Sequence, residues 1–232
     1  MKLYDIPRNK WQAEYDQLMT DPYLSKKYNR ERRIKDLRKF MGECTPELKH
    51  CKEKRVLDIG CAFGEYLEIC REMGHYPSGV DAVIEDCDMG DEYIRLSQLM
   101  TERQKIKVAY TGLQAWVEEQ HGEGEFFYIV SRGAINQCYK EHLLGPSHKI
   151  TKDSGAQTWD MSPELWQKFY NLFFAINHVL EDGGFFYCWA NGSANDPMYD
   201  HLFLQTLKKF PNLQLMKKIG KLRHKVKKVV EE

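Results

Sequence analysis

Arg55 to Asp81 constrains this chain more than any other stretch. Arg55 to Ile59 is a short, β-branched and apolar run that stops at Gly60, and Tyr66 to Met73 then carries apolar residues at helical spacing. A second short run, Tyr76 to Val80, follows Gly74 and ends in Asp81. Strand, turn, helix and strand in this length and order predict one βαβ crossover, and therefore parallel strands. A loop leading from the carboxyl end of a strand into a helix presents backbone N–H groups, and Gly60 and Gly64 let a ligand approach where a Cβ would block it. The stretch predicts a nucleotide-type pocket.

The glycines do not fit the dinucleotide fingerprint, whose first, third and sixth positions would fall on Gly60, Ala62 and Glu65. The pattern is instead Asp58-x-Gly60-x-x-x-Gly64, with one acid inside the end of the first strand and a second, Asp81, closing the next. Negative charge beside the loop repels a pyrophosphate and attracts a cation. These residues resemble motif I of the class I S-adenosylmethionine-dependent methyltransferases, and the resemblance can be followed over most of residues 55 to 230. It implies an α/β fold with a doubly wound, mostly parallel sheet of about seven strands that ends in an antiparallel hairpin. It also implies S-adenosyl-L-methionine as cofactor and S-adenosyl-L-homocysteine as its product. By this likeness Asp58 lies near the donor's methionine end, and Gly60, Cys61, Ala62, Phe63 and Gly64 wrap the amino-acid moiety and sulfonium. Asp81 accepts both ribose hydroxyls, Ala82 lies against the adenine, and Gly112, Leu113, Ser131 and Arg132 complete the expected cofactor contacts. The residues by themselves also allow a Rossmann-like fold that binds something else or nothing.

The composition fits one globular domain with a modest extension: 232 residues, 42% hydrophobic and 29% charged. Residues 1–50 are expected to form an N-terminal helical lid or extension, and residues 51–232 the Rossmann-like domain. The formal net charge is zero, so nothing global points to nucleic acid or acidic membranes, although local patches remain open. The seven cysteines are scattered, odd in number and free of a Cys-x-x-Cys pair, which predicts reduced thiols in a cytoplasmic protein. No apolar run approaches the ~20 residues that span a bilayer, and the N-terminus lacks a signal-peptide apolar region. A soluble intracellular protein with no membrane partner is expected.

Before the first strand, Trp11, Tyr15, Leu18 and Met19 fall at roughly helical spacing, and after Asp21-Pro22 a second pattern runs through Ile34, Leu37, Phe40 and Met41. Two helices are predicted. Lys26 to Lys39 is dense in Arg and Lys, and a solvated helix face is preferred over an anionic-ligand surface. The family resemblance suggests that Tyr23 to Asn29 serves as a lid. After Asp81, Glu85, Asp86, Asp88, Asp91 and Glu92 lack the ligand spacing of a calcium loop and are read as a helix start, so no metal is expected. Lys105 to Tyr110 is the third predicted strand and Gly112 to Gln120 a short helix. The family usually places an acid just after this strand to bond the adenine amino group. Here Thr111-Gly112-Leu113-Gln114 stands, leaving backbone groups or Gln114 to serve.

Glu125 to Ser131 is a nearly continuous apolar run, as a central parallel strand buried on both faces requires. The segment at its end, Ser131-Arg132-Gly133-Ala134-Ile135-Asn136-Gln137, lacks the Asp/Asn-Pro-Pro-aromatic sequence of amino-methylating base enzymes. Nor is there an Asp at Ser131, as the Lys-Asp-Lys-Glu ribose enzymes would have, or a nucleophilic setting for Cys138 or Cys188, as cytosine-C5 enzymes need. Gln137 to Asp160 is a long polar connection of the kind kept for functional loops. Its His142 and His148 are too far apart for a helical metal pair. Ser162 and Pro163 open a helix to Leu180, and Glu181-Asp182-Gly183-Gly184 turns the chain into a strand over Phe185 to Ala190. Asn195 to Phe210 reads as a helix, then Asn212 to Ile219 and His224 to Val230 as two strands. Lys217, Lys218, Lys221, Arg223, Lys225, Lys227 and Lys228 make that end basic. A charged sheet edge is preferred over a phosphate contact as its explanation.

A sulfonium methyl donor is already activated, so an enzyme using it must chiefly align acceptor, methyl carbon and sulfur and exclude water. The donor site is therefore more legible than any catalytic residue, and none is assigned. Tyr28, Tyr139, His142, His148 and Trp159 are candidates for the acceptor pocket, because they lie in the two segments expected to cover the strand ends. The leading expectation is an S-adenosylmethionine-dependent methyltransferase acting on a small-molecule acceptor. The alternatives are an RNA- or cap-directed methyltransferase and, from another class, a non-catalytic nucleoside-binding protein of the same fold. The sequence sets no oligomeric state.

Overall fold

The computed structural model describes residues 29–81, 97–132 apart from 100, 103 and 121, 163–189, 197–218 and 223–230, together with isolated positions between 13 and 25. The lid segment Tyr23 to Asn29 is described only at Ser25 and Asn29. The acidic stretch 85–92 and the connection Gln137 to Asp160 lie outside the described residues. Two compact units divide the chain, residues 1–112 and 113–232.

In the first unit, helix α1 (Arg30–Cys44) begins where Asn29 accepts the Arg32 N–H at 2.9 Å, an N-cap of the usual kind. Leu37, Phe40, Met41 and Cys44 form its buried stripe. A 3-10 turn (Pro46–Lys49) leads to β1 (Arg55–Ile59), followed by α2 (Glu65–Glu72), β2 (Tyr76–Val80) and β3 (Lys107–Ala109). β1 pairs with β2 and β2 with β3, both parallel, as the crossover pattern predicts. The third strand is shorter than its apolar run. Lys105 is left-handed at φ 52° and bonds back to Glu102, while Ile106 bonds to Thr101, so the chain is still turning there.

The second unit holds α3 (Leu113–Gln120), β4 (Phe126–Arg132), α4 (Pro163–Val179), β5 (Leu180–Trp189), α5 (Pro197–Leu207), β6 (Leu213–Lys218) and β7 (Arg223–Lys228). Helix α4 starts at the proline expected at its first position; Ser162 is outside the described residues. Its buried stripe is Phe169, Phe173 and Ile176, and Phe173 meets Phe186, Phe203 and Phe210 in one aromatic cluster. β4 and β5 are parallel, whereas β7 is antiparallel to both β5 and β6.

The seven strands are ordered β3-β2-β1-β4-β5-β7-β6, a mostly parallel sheet ending in an antiparallel hairpin. Two expectations change in detail. Glu181 to Gly184 is not a turn ahead of the fifth strand but an expanded bulge within it: Phe126 aligns with Leu180 and Tyr128 with Phe185. The basic C-terminal stretch is not a single charged edge either. Lys217 and Lys218 lie on the edge strand β6, but β7 runs between β5 and β6.

Candidate active site at the β1 loop

β1 and β2 run parallel in register, with Asp58 beside Gly79 and Ile59 beside Val80, so their carboxyl ends open together. The chain leaves β1 through three alternating left-handed residues: Gly60 at φ 72°, Ala62 at 51° and Gly64 at 74°. Glycine adopts this backbone readily. For alanine it costs about 1–2 kcal/mol, so Ala62 persists there because its surroundings hold it. The Ala62 N–H donates to Asp81 Oδ2 at 2.7 Å, and the Ala62 carbonyl accepts the Ser97 hydroxyl. Gly60 N–H bonds Val80 O at 2.7 Å, and Asp81 N–H bonds Ala109 O at 2.9 Å, so the loop and the end of β2 are stitched together. A Cβ on Gly64 would come within 3.1 Å of Thr101 Cγ2 and 3.2 Å of Gln104 Oε1. One on Gly79 would lie 2.6 Å from Cys61 Sγ. A side chain at Gly79 would have to displace Cys61 and Leu67, and Gly64 is favoured by its left-handed backbone, with Thr101 and Gln104 close enough that they would have to give way.

The two acids differ in setting. Asp58 is fully buried within β1. Asp81, at the mouth of the loop, is pushed up to about 6 from an ordinary 3.8 by burial, which outweighs the lowering effect of the Ala62 N–H. Behind it the Tyr110 hydroxyl lies 3.1 Å from both Ser97 Oγ and Thr101 Oγ1. Burial raises the Tyr110 phenol, with the Ser97 and Thr101 bonds opposing.

A further buried acid escaped the sequence reading. Glu65, in the first turn of α2, is gripped by Arg33 of α1 through Nε at 2.6 Å and a terminal nitrogen at 3.0 Å, a bidentate pair. The same guanidinium lies 5.3 Å from the centroid of the Phe63 ring. The basic run Lys26 to Lys39 is therefore not uniformly a solvated face. Arg32, Lys35, Arg38 and Lys39 are exposed, but Arg33 holds the glycine loop's flank. The signal was present: Arg33 is four residues before Leu37, on the apolar stripe of α1.

In the first unit, Gly60, Cys61, Ala62, Phe63 and Gly64 thus form one loop that is stitched to Asp81 just past β2 and follows Asp58 of β1. Gly112 closes that unit and is exposed. Leu113, Ser131 and Arg132 belong to the second: Leu113 starts α3, and Ser131 and Arg132 end β4, paired with Cys188 and Trp189 of β5. Ala82, Tyr28, Tyr139, His142, His148 and Trp159 lie outside the described residues. Among the described residues no group of three or more His, Cys, Asp and Glu could hold a metal ion, and no helix is long and apolar enough to cross a membrane. Among the described residues, Cys44, Cys51, Cys61, Cys70 and Cys188 are in no disulfide.

On β7, Arg223, Lys225 and Lys227 alternate on one face opposite Trp189, Tyr187 and Phe185 of β5. Arg223 stacks 4.3 Å from the Trp189 ring centroid, and Lys225 lies 5.1 Å from that of Phe185. On the opposite face His224 bonds Asp200 at 2.7 Å and stacks on Phe203, and Lys228 turns inward to the carbonyls of Asn177 and Leu180.

No protein-family model and no curated protein matches this sequence. Among solved structures, monomeric WbdD, a bifunctional kinase-methyltransferase, superposes with a TM-score of 0.50 at 11% identity, over 87% of this chain and 44% of that one. This chain therefore spans less than half of WbdD. A SAM-dependent methyltransferase from Archaeoglobus fulgidus gives 0.49 at 13% identity, over 90% of this chain and 100% of that one. Geranyl diphosphate C-methyltransferase from Streptomyces coelicolor A3(2), solved with Mg2+, geranyl diphosphate and S-adenosyl-L-homocysteine, gives 0.44 at 10% identity, over 81% of this chain and 61% of that one. At such identities the likeness is one of architecture. The strand order and terminal hairpin are those of the class I methyltransferase fold.

Proposed function

We propose that this chain is an S-adenosyl-L-methionine-dependent methyltransferase of a small-molecule acceptor. The observation that carries the reading is Asp81. It is a half-buried carboxyl at the carboxyl end of β2, joined to the backbone of a left-handed loop whose Gly64 packs closely against Thr101 and Gln104. A pair of ribose hydroxyls suits such a group, since both can donate to one carboxylate. The loop from Gly60 to Gly64, with Asp58 behind it, provides the place for the amino-acid moiety and sulfonium. Leu113, Ser131 and Arg132, with Ala82 and Gly112, are assigned to the remainder of the donor.

S-adenosyl-L-methionine, when bound, supplies a methyl group already activated on a sulfonium. What remains for the protein is to hold the donor, align the acceptor and exclude water. We assign the last two tasks to the segments Tyr23 to Asn29 and Gln137 to Asp160, with Tyr28, Tyr139, His142, His148 and Trp159 lining the acceptor side. Seven scattered cysteines without a Cys-x-x-Cys pair suit a reducing compartment, and we place the protein in the cytoplasm. The test is calorimetry with S-adenosyl-L-homocysteine, followed by an assay for its formation with candidate acceptors. Absence of binding to the parent chain would sink the reading.

An RNA-directed methyltransferase is the second reading, favoured by Arg223 against Trp189 and Lys227 against Phe185, the partly exposed cation and ring pairs of β7 and β5. Cations interleaved with aromatic rings are a common composition of single-strand binding surfaces. RNA affinity that falls by about one order or more between roughly 50 and 200 mM salt, as a few phosphate contacts require, would promote it over the first.

A further inference from the structure

We propose that Ser97 is a positioning residue of the donor loop: with Tyr110 behind it, it holds Ala62 in the left-handed backbone that presents the loop to the donor's amino-acid moiety and sulfonium. The inference rests on the donor reading above and goes beyond it, since Ser97, Thr101 and Tyr110 belong to no glycine motif.

The donor and acceptor assignments follow from proton counting. Ser97 has one hydroxyl proton, and it goes to the Ala62 carbonyl. Thr101 has one, and it goes to backbone, to Ser97 O at 2.9 Å and Gln98 O at 3.1 Å. Neither hydroxyl has a proton left for Tyr110, so the Tyr110 phenol is the donor, shared between Ser97 Oγ and Thr101 Oγ1, each 3.1 Å away. The Ala62 carbonyl is therefore the end of a directed relay that starts at the end of β3. The Ala62 N–H ends on Asp81. Both polar groups of one left-handed, non-glycine residue are thus fixed from outside the loop, one by the residue assigned to the ribose and the other by Ser97. Ser97 and Thr101 are also buried, so water does not replace the relay when it is cut.

If this is what Ser97 does, its effect must pass through the conformation of Ala62, and glycine at 62 should make it dispensable, because glycine takes φ near 51° unaided. The test is a double-mutant cycle on the full chain, read by calorimetry with S-adenosyl-L-homocysteine and by amide hydrogen exchange of residue 62 in the unliganded protein. Ser97→Ala is expected to weaken binding about tenfold and to speed exchange at residue 62. In the Ala62→Gly background the same substitution is expected to weaken binding less than about threefold. Ser97→Thr, which keeps the hydroxyl but adds a methyl at a buried position, should keep the slow exchange at residue 62 relative to Ser97→Ala even if overall stability falls. Tyr110→Phe should move both readouts in the same direction by a smaller amount, and it serves in place of Ser97→Ala if that variant does not fold. Equal losses in the two backgrounds, or unchanged exchange at residue 62 in Ser97→Ala, would overturn the proposal. If the parent chain does not bind S-adenosyl-L-homocysteine, the donor reading fails instead, and the exchange cycle still decides whether Ser97 holds Ala62.

Discussion

Two glycine-bearing segments, a bulge and a loop, one in each unit, hold left-handed backbone by contrasting means. The bulge at Glu181 to Gly184 is closed by its own chain. Gly183 is left-handed at φ 79°, and a Cβ on Gly184 would lie 2.7 Å from Glu181 O and 2.9 Å from Phe127 O. One cation finishes it: Lys228 donates to Asn177 O at 3.1 Å and Leu180 O at 2.9 Å, where α4 runs out of partners for its carbonyls. The loop at Gly60 to Gly64 is held instead by side chains from β2 and from beyond it, Asp81 and Ser97, and its carboxyl is raised by burial rather than lowered by a cation. The first arrangement satisfies polar groups and leaves no room at Gly184. The second keeps an acid in a setting that disfavours its charge, as expected where a local rule is broken for a ligand.

The sharpest way to break the comparison is to change the most crowded position of one segment and the acid of the other. Gly184→Ala forces a methyl against two backbone oxygens that cannot swing aside. A loss of about 3 kcal/mol or more in stability is expected, read as a fall in the urea midpoint. Asp81→Ala should instead leave the midpoint nearly unchanged and reduce affinity for S-adenosyl-L-homocysteine by about 2 kcal/mol, roughly thirtyfold. If Gly184→Ala lowered affinity in the folded protein as much as Asp81→Ala does, the two segments would not be different in kind.

Lys228→Met sharpens the same division at smaller size. The methylene stem still fills its space, but the Asn177 and Leu180 carbonyls lose their donor in a buried place. About 1.5 kcal/mol of stability should go with donor affinity untouched. A change in affinity with unchanged thermal unfolding would assign Lys228 to the site instead.

How much of this could be read from residues alone depends on the range of the interactions. β1, the α2 helix and β2 declare themselves through apolar spacing and glycines within one short stretch, and the structure places β1 and β2 at the bounds that spacing predicts. The Glu181 to Gly184 segment reads as a turn by composition. Only its pairing partner on β4 makes it a bulge, and β4 is far away along the chain. Lysines 225, 227 and 228 look alike in a row; the pleat sends Lys225 and Lys227 to one face and Lys228 to the other. Ser97 carries no signal at all, because nothing in its neighbours predicts contact with Ala62. Arg33 was legible only as one basic residue on an apolar stripe.

Asp81 itself gives the smallest effect and the one that ties stability to function. Its carboxyl is raised in the folded protein, from 3.8 to about 6. Between those values the folded chain keeps a proton that the unfolded chain has lost, so stability falls as pH rises through this window, and the penalty is complete above it. Asp81→Asn keeps an oxygen for the Ala62 N–H but has no charge to desolvate. At about pH 7.5 it should therefore be more stable than the parent by about 1 kcal/mol, discounted from the full shift because the group is partly exposed, and the difference should close toward about pH 4. Donor binding should run the other way. Ribose hydroxyls donate best to the ionised carboxylate, so affinity for S-adenosyl-L-homocysteine in the parent should rise as pH passes through about 6 and level off above it. In Asp81→Asn the affinity should be lower and flat. Chemical unfolding and calorimetry at about pH 4.5, 6 and 7.5 check both halves. An Asn variant that is less stable at the highest pH, or a parent whose affinity ignores pH, would mean that Asp81 is a structural stitch like Lys228 and that the two segments do the same work.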